Sequence, residues 1–230
     1  MLRVRPIVFT PNLDAFTDTF TALGLRQVED APGWRVFAAD SGHVALHTAE
    51  QPSLSFSFEV GSVTKFARRT AEAGTAAVVV DTADGPAAQV TAPDGRTFLA
   101  YEAQLADAAP VKEGLAVMPI WYTTDPAAGA KVFSDIGARQ RISSRTGSWI
   151  GFVAKNGGLV AVHEAETDGT QLAFEFTGDI TVLQQRTPAA TILIDENYGR
   201  SLRVPNPDGG RIWINEWQED LYGYTRDTGS

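Results

Sequence analysis

His47 and His163 each close an apolar-rich run that opens on a tryptophan, Trp34 in one case and Trp149 in the other. His47 lies thirteen positions after Trp34 and His163 fourteen after Trp149, the extra residue being Gly158. An imidazole so placed can hydrogen-bond a ligand or move a proton as a general acid or base. It can equally be held by a backbone group or by the nearby indole. Only three His and no Cys occur in the chain. A transition-metal site, which wants three or four imidazole, thiolate or carboxylate ligands, therefore has few donors to draw on, and no disulfide can form.

Aromatic side chains are the second candidate group. Phe9, Tyr101, Tyr122, Trp213 and Trp217 join Trp34 and Trp149 on runs of strand character, and such rings suit a flat apolar ligand by stacking and area burial. Among the cations, Arg5, Arg35 and Arg211 could meet a carboxylate or phosphate. Arg139, Arg141 and Arg145 read as a solvated loop cluster. Gly157-Gly158 marks a hairpin and not a phosphate loop, since no helix follows, and Ser143, Ser144 and Ser148 have no neighbouring base. Asp and Glu outnumber Lys and Arg 28 to 19, a net charge of −9. That balance argues against nucleic acid and anionic membranes as partners. No apolar stretch reaches the roughly 20 residues of a membrane span, and Met1-Leu2-Arg3-Val4-Arg5-Pro6 lacks the apolar core of a signal peptide. The expectation is a cytoplasmic protein.

The elements that must carry these residues come in duplicate. Arg5-Pro6-Ile7-Val8-Phe9 returns as Met118-Pro119-Ile120-Trp121-Tyr122, 113 residues on, and Pro93-Asp94-Gly95 returns as Pro207-Asp208-Gly209, 114 residues on. Helices are expected after Asn12, Ser62, Asp125 and Asp179, all good N-cap residues, with Pro126 at a first helical position. Strands are expected at 34–39, 44–48, 54–60 and 97–101, and the two Asp-Gly pairs signal hairpins. Strand, helix and three strands thus recur four times. The expected organisation is one domain over residues 1–104, a linker over 105–113, a second domain over 114–217, and a polar, loosely packed tail over 218–230.

The opening strand before Asn12-Leu13-Asp14-Ala15-Phe16, the Leu23-Gly24-Leu25 helix end and the Pro-Asp-Gly hairpin resemble the vicinal oxygen chelate superfamily. Glyoxalase I, bleomycin-resistance proteins and extradiol dioxygenases belong to it. The same features recur at Asp125-Pro126-Ala127, Ile136-Gly137-Ala138 and Pro207-Asp208-Gly209. The resemblance implies an α+β fold of tandem glyoxalase-like domains, four βαβββ units whose mixed sheets pair into cups. In the enzymes a divalent metal sits in the cup on His and Glu. Carried over, those positions fall on Arg5 and Met118, on Ala45 and Ala161, near Ser55 and Ala173, and on Leu99 and Trp213. None is a competent ligand, so neither metal nor other cofactor is expected.

By strand alternation His47 shares a face with Ala45, and His163 with Ala161, which the resemblance places inside the cups. The candidate ligand-binding set is Arg5, Phe9, Trp34, His47, Leu99 and Tyr101 in the first copy. In the second it is Met118, Tyr122, Trp149, His163, Trp213 and Trp217. Divergence at Arg5/Met118 and Leu99/Trp213 predicts that one cup binds better than the other. The reading is a metal-independent small-molecule binding protein similar to the drug-sequestering branch, taking an apolar or aromatic compound, as a monomer or homodimer. The alternative is a lyase, isomerase or dioxygenase-like enzyme with displaced metal ligands, or one using His47 or His163 as acid–base.

Overall fold

The computed structural model describes residues 1–106, 114–196, 199–217 and 223–227. Most of the expected linker, residues 107–113, and residues 218–222 and 228–230 of the tail lie outside the described residues. In the first half the order is β1 (Leu2–Val4), β2 (Ile7–Thr10), α1 (Leu13–Ala22), β3 (Arg26–Ala31), β4 (Trp34–Ala38) and β5 (His43–Thr48). Then come β6 (Ser53–Ser55), β7 (Ser57–Val60), α2 (Val63–Ala73), β8 (Ala76–Thr82), β9 (Gly85–Thr91) and β10 (Thr97–Glu102). The second half repeats this with β11 (Gly114–Val117), β12 (Ile120–Thr123), α3 (Pro126–Asp135), β13 (Arg139–Ser144), β14 (Trp149–Val153) and β15 (Leu159–Glu164). It continues with β16 (Gly169–Gln171), β17 (Ala173–Thr177), α4 (Ile180–Gln184), β18 (Ile192–Glu196), β19 (Gly199–Pro205), β20 (Arg211–Glu216) and β21 (Tyr224–Arg226).

All four helices start at the expected caps. Ser62, Asp125 and Asp179 accept a backbone N–H of the first turn through the side chain, which satisfies one of the donors a helix start leaves open. Asn12 instead turns its amide to Asp208 Oδ1, 2.8 Å away in the other half. Helices α1 and α3 end before Gly24 and Gly137, both at positive φ.

The strands form four mixed sheets: β1-β7-β10-β9-β8 and β3-β4-β5-β2-β6 from the first half, β11-β17-β20-β19-β18 and β16-β12-β15-β14-β13-β21 from the second. Four βαβββ units are thereby realised. The expected strand over 54–60 is in fact two. Buried Phe56 sits between β6, which pairs with β2, and β7, which pairs with β10. The chain changes sheets at that residue, so a continuous run of strand-forming side chains becomes two short strands. A second correction concerns the tail: β21 pairs antiparallel with β13, Tyr224 opposite Ser144 and Arg226 opposite Ile142.

Each half presents one sheet face outward into a concave cup and the other into a core shared between the halves. Phe20 of α1 meets Phe174 of β17, and Phe133 of α3 meets Phe58 of β7. The two contacts are duplicates of each other, so each helix is clamped between its own half and a sheet of the other. Hairpin tips complete the joint: Val4 N–H donates to Gly157 O at 2.9 Å, and Val117 N–H donates to Ser41 O at 2.9 Å. The approach is close enough to require Gly158, where a Cβ would lie 2.4 Å from that of Val4 and φ is +87°. Among the described residues no helix is long and apolar enough to cross a membrane.

Candidate functional site

Alternation on β2, β4 and β5 turns Ile7, Phe9, Trp34, Val36, Ala45 and His47 to the first cup. Its floor holds a charged cluster that sequence reasoning missed. The Glu59 carboxylate is only 8% exposed and contacts Arg3 Nε, while Arg5 Nη1 and His43 Nδ1 approach it at 3.5 Å. Burial pushes this carboxyl up, but the bonds from His43 and Arg3 and the charges of Arg5 and Arg3 outweigh it and hold it near 2. Arg5 then lies between two rings, its Cζ 5.4 Å from the Trp34 centroid and 5.2 Å from that of Tyr101. Such stacking fills the space a ligand would use. Leu99 stands beside it on β10, between Ser57 and Gln89.

The second cup differs at these positions. Glu175 repeats Glu59, but Arg3, Arg5 and His43 are replaced by Ala116, Met118 and Leu159, all buried. Its counterion comes from elsewhere. A β-bulge between Gln140 and Ile142 puts Arg141 on the cup side, where Nη1 and Nη2 donate to Glu175 Oε1 and Oε2 at 3.0 and 2.6 Å. The first copy has the same bulge in β3, but with Val28 at its centre. Arg141 is thus not a solvated loop residue: β13 is a strand, and burial of Glu175 demands a cation. The signal available in the sequence was the duplicated glutamate, Glu59 and Glu175, on the cup face of duplicated strands.

With Met118 in place of Arg5, a cavity of about 210 Å³ opens in the second cup. Met118, Ile120, Trp149 and Trp213 give it apolar surface, and Arg141, Glu175, Trp217, Tyr224 and Arg226 complete its lining, the last two contributed by β21. Trp217 carries two guanidinium groups, Arg141 at 4.8 Å and Arg226 at 4.7 Å from its centroid. Trp213 carries Arg203 at 4.7 Å. Tyr122 donates to Gln171 Oε1 at 3.0 Å, and burial raises its phenol above the usual range.

His47 and His163 sit at equivalent places on the cup rims. His47 is flanked by Phe9 and Trp34 at 5.4 and 6.0 Å, His163 by Tyr122 and Trp149 at 5.4 and 5.5 Å. Nδ1 faces the next residue's carbonyl oxygen in each, Thr48 at 2.8 Å and Glu164 at 2.6 Å. A carbonyl only accepts, so Nδ1 carries a proton and a neutral ring leaves Nε2 as acceptor. His47 is exposed, whereas His163 is half-buried and lines the cavity.

The metal positions of the superfamily can be tested against this geometry. Strand pairing sets Ser57 opposite Leu99 and Ala173 opposite Trp213. The third position of the first copy is therefore Ser57, and Ser55 lies on β6 in the other sheet. The sets are then Arg5, Ala45, Ser57 and Leu99, and Met118, Ala161, Ala173 and Trp213. Two alanines, a methionine and an indole offer a metal no imidazole or carboxylate, and a guanidinium repels it, so these residues do not fit the ion. Among the described residues no three His, Asp or Glu side chains converge as an alternative set.

No family model and no curated protein matches the chain. Solved structures do. A catechol 2,3-dioxygenase superposes with TM-score 0.63 at 13% identity, covering 99% of this chain and 95% of its own. Homoprotocatechuate 2,3-dioxygenase from B. fuscum gives 0.66 at 16% over 98% and 72%. A 2,2',3-trihydroxybiphenyl 1,2-dioxygenase from Sphingomonas wittichii gives 0.61 at 14% over 96% and 92%. Likeness at such identity speaks to architecture alone: the chain has the duplicated βαβββ fold of the extradiol dioxygenases, the fold of the vicinal oxygen chelate superfamily.

Proposed function

We propose that this chain binds and sequesters a small apolar or aromatic molecule in its second cup, without a resident metal. The observation that carries the reading is the exchange of Arg5 for Met118. One cup is filled by its own guanidinium, and the other keeps a cavity of about 210 Å³ between Met118, Trp149 and Trp213. Binding would come from apolar area removed from water and from the open face of Trp213, with Nε2 of His163 as a polar acceptor at the rim.

Trp213→Ala tests it. A one- or two-ring aromatic probe should quench tryptophan fluorescence saturably in the native chain. The variant should bind at least tenfold more weakly, because ring contact is worth about 0.5–1.5 kcal/mol on top of lost area. Elemental analysis of the same protein should find well under one equivalent of Zn, Ni, Fe or Mn. A near-stoichiometric metal whose chelation abolishes binding, or a probe isotherm unmoved by Trp213→Ala, would overturn the proposal.

A further inference from the structure

We propose that the first cup is a separate binding site, in which Arg5 takes a small carboxylate from solution. The site is independent of the aromatic binding proposed for the second cup. It starts from a guanidinium without hydrogen bonds. Arg3, Arg35, Arg96, Arg141 and Arg200 each donate at least one side-chain hydrogen bond. The Arg5 side chain is only 12% exposed, yet it donates none among the described residues. Its Nη1 stands 3.5 Å from Glu59 Oε1, an ion pair beyond good hydrogen-bonding distance, and its buried Nε meets no acceptor. Buried donors in folded proteins are nearly all met, so a group this poorly supplied points to a partner from outside the chain.

Two more polar atoms of this cup lack hydrogen-bond partners. One is Ser57 Oγ, on the residue whose carbonyl accepts the Arg5 backbone N–H at 3.0 Å; the other is His43 Nδ1, 3.5 Å from Glu59 Oε2. The second copy shows that the fold does not require them. At the places of Arg5, His43 and Ser57 it has Met118, Leu159 and Ala173. Charge sets the sign of the ligand. Arg3 and Arg5 share one buried carboxylate, Glu59. Asp84, which also acts on the Tyr101 phenol, is exposed at the tip of the β8–β9 hairpin. One positive charge in the cup is thus left without a buried counterion. Geometry sets the class. Trp34 and Tyr101 pack against the guanidinium, so a ligand meets its in-plane N–H donors, which two coplanar oxygens match best.

Acetate labelled with carbon-13 at its carboxyl is the probe, titrated against the full chain at constant ionic strength and read by NMR line broadening. The carboxyl signal should broaden saturably. Trp213→Ala should leave this unchanged, since that residue lies in the other cup. Arg5→Met should abolish it, and Arg5→Lys, which keeps the charge but not the planar fork, should weaken binding about tenfold. Chloride should compete at least about tenfold less well than acetate. No broadening with the native chain would show that water alone meets the Arg5 donors, and would overturn the site. Broadening that survives Arg5→Met would place acetate elsewhere and overturn it equally. Chloride competing as well as acetate, or full binding by Arg5→Lys, would overturn the carboxylate assignment.

Discussion

Glu59 and Glu175 occupy the same position in the two copies and are neutralised by different arginines. In the first cup the cations rise from the floor, Arg3 and Arg5; in the second, Arg141 reaches in from a bulge on the neighbouring sheet. A buried carboxylate cannot lose its partner, so relocating the cation is what permits Met118 to replace Arg5 and the cavity to exist.

Acid stability follows from Glu59. Its carboxyl is held at about 2 in the fold, below the ordinary 4.5. The stabilisation is present in full above pH 4.5 and is lost as pH falls toward 2, amounting to about 3 kcal/mol at most. Urea denaturation at pH 7 and pH 3 should show that loss in the native chain. Glu59→Gln should be less stable at pH 7 and flatter between the two pH values; an unchanged pH dependence in the variant would refute the assignment.

Arg5→Met should open the first cup. Losing two ring contacts costs roughly 1–2 kcal/mol, and Arg3 with His43 still face Glu59. Calorimetry with an aromatic probe should then report a second site. A stoichiometry that stays at one in a folded variant would show that Arg5 is not what closes this cup.

The two rim histidines should separate. His163 lines the cavity while His47 overlooks the cup filled by Arg5. A hydrogen bond lost with His163→Ala is worth about 0.5–1.5 kcal/mol, severalfold to tenfold in affinity. His47→Ala should leave binding within error. Equal melting-point losses with no change in affinity would make both purely structural.

The domain boundary proposed at residues 105–113 calls for limited proteolysis. Cleavage there should give two fragments of similar size. They should co-elute on gel filtration, because Phe20–Phe174 and Phe133–Phe58 bind the halves into one core. First cuts within residues 34–50 would show the boundary to be misplaced.

Local rules were enough to place much of this protein from its residues alone. Capping chemistry marked Asn12, Ser62, Asp125 and Asp179, and alternation placed His47 with Ala45 and His163 with Ala161 on the cup faces. Such signals act over a few residues, and the duplication repeated them. Three features depended on partners far apart in sequence. Arg141 reads as loop because its meaning is Glu175, 34 residues away and on another sheet. The tail reads as unpaired polar chain because the open edge of β13 that receives β21 exists only once the sheet is assembled. Arg5 reads as a ligand group, yet Trp34 and Tyr101 close around it and make it part of the wall. Which cup is open was therefore decided by tertiary packing, since volume and charge balance belong to the assembled cup and not to any one strand.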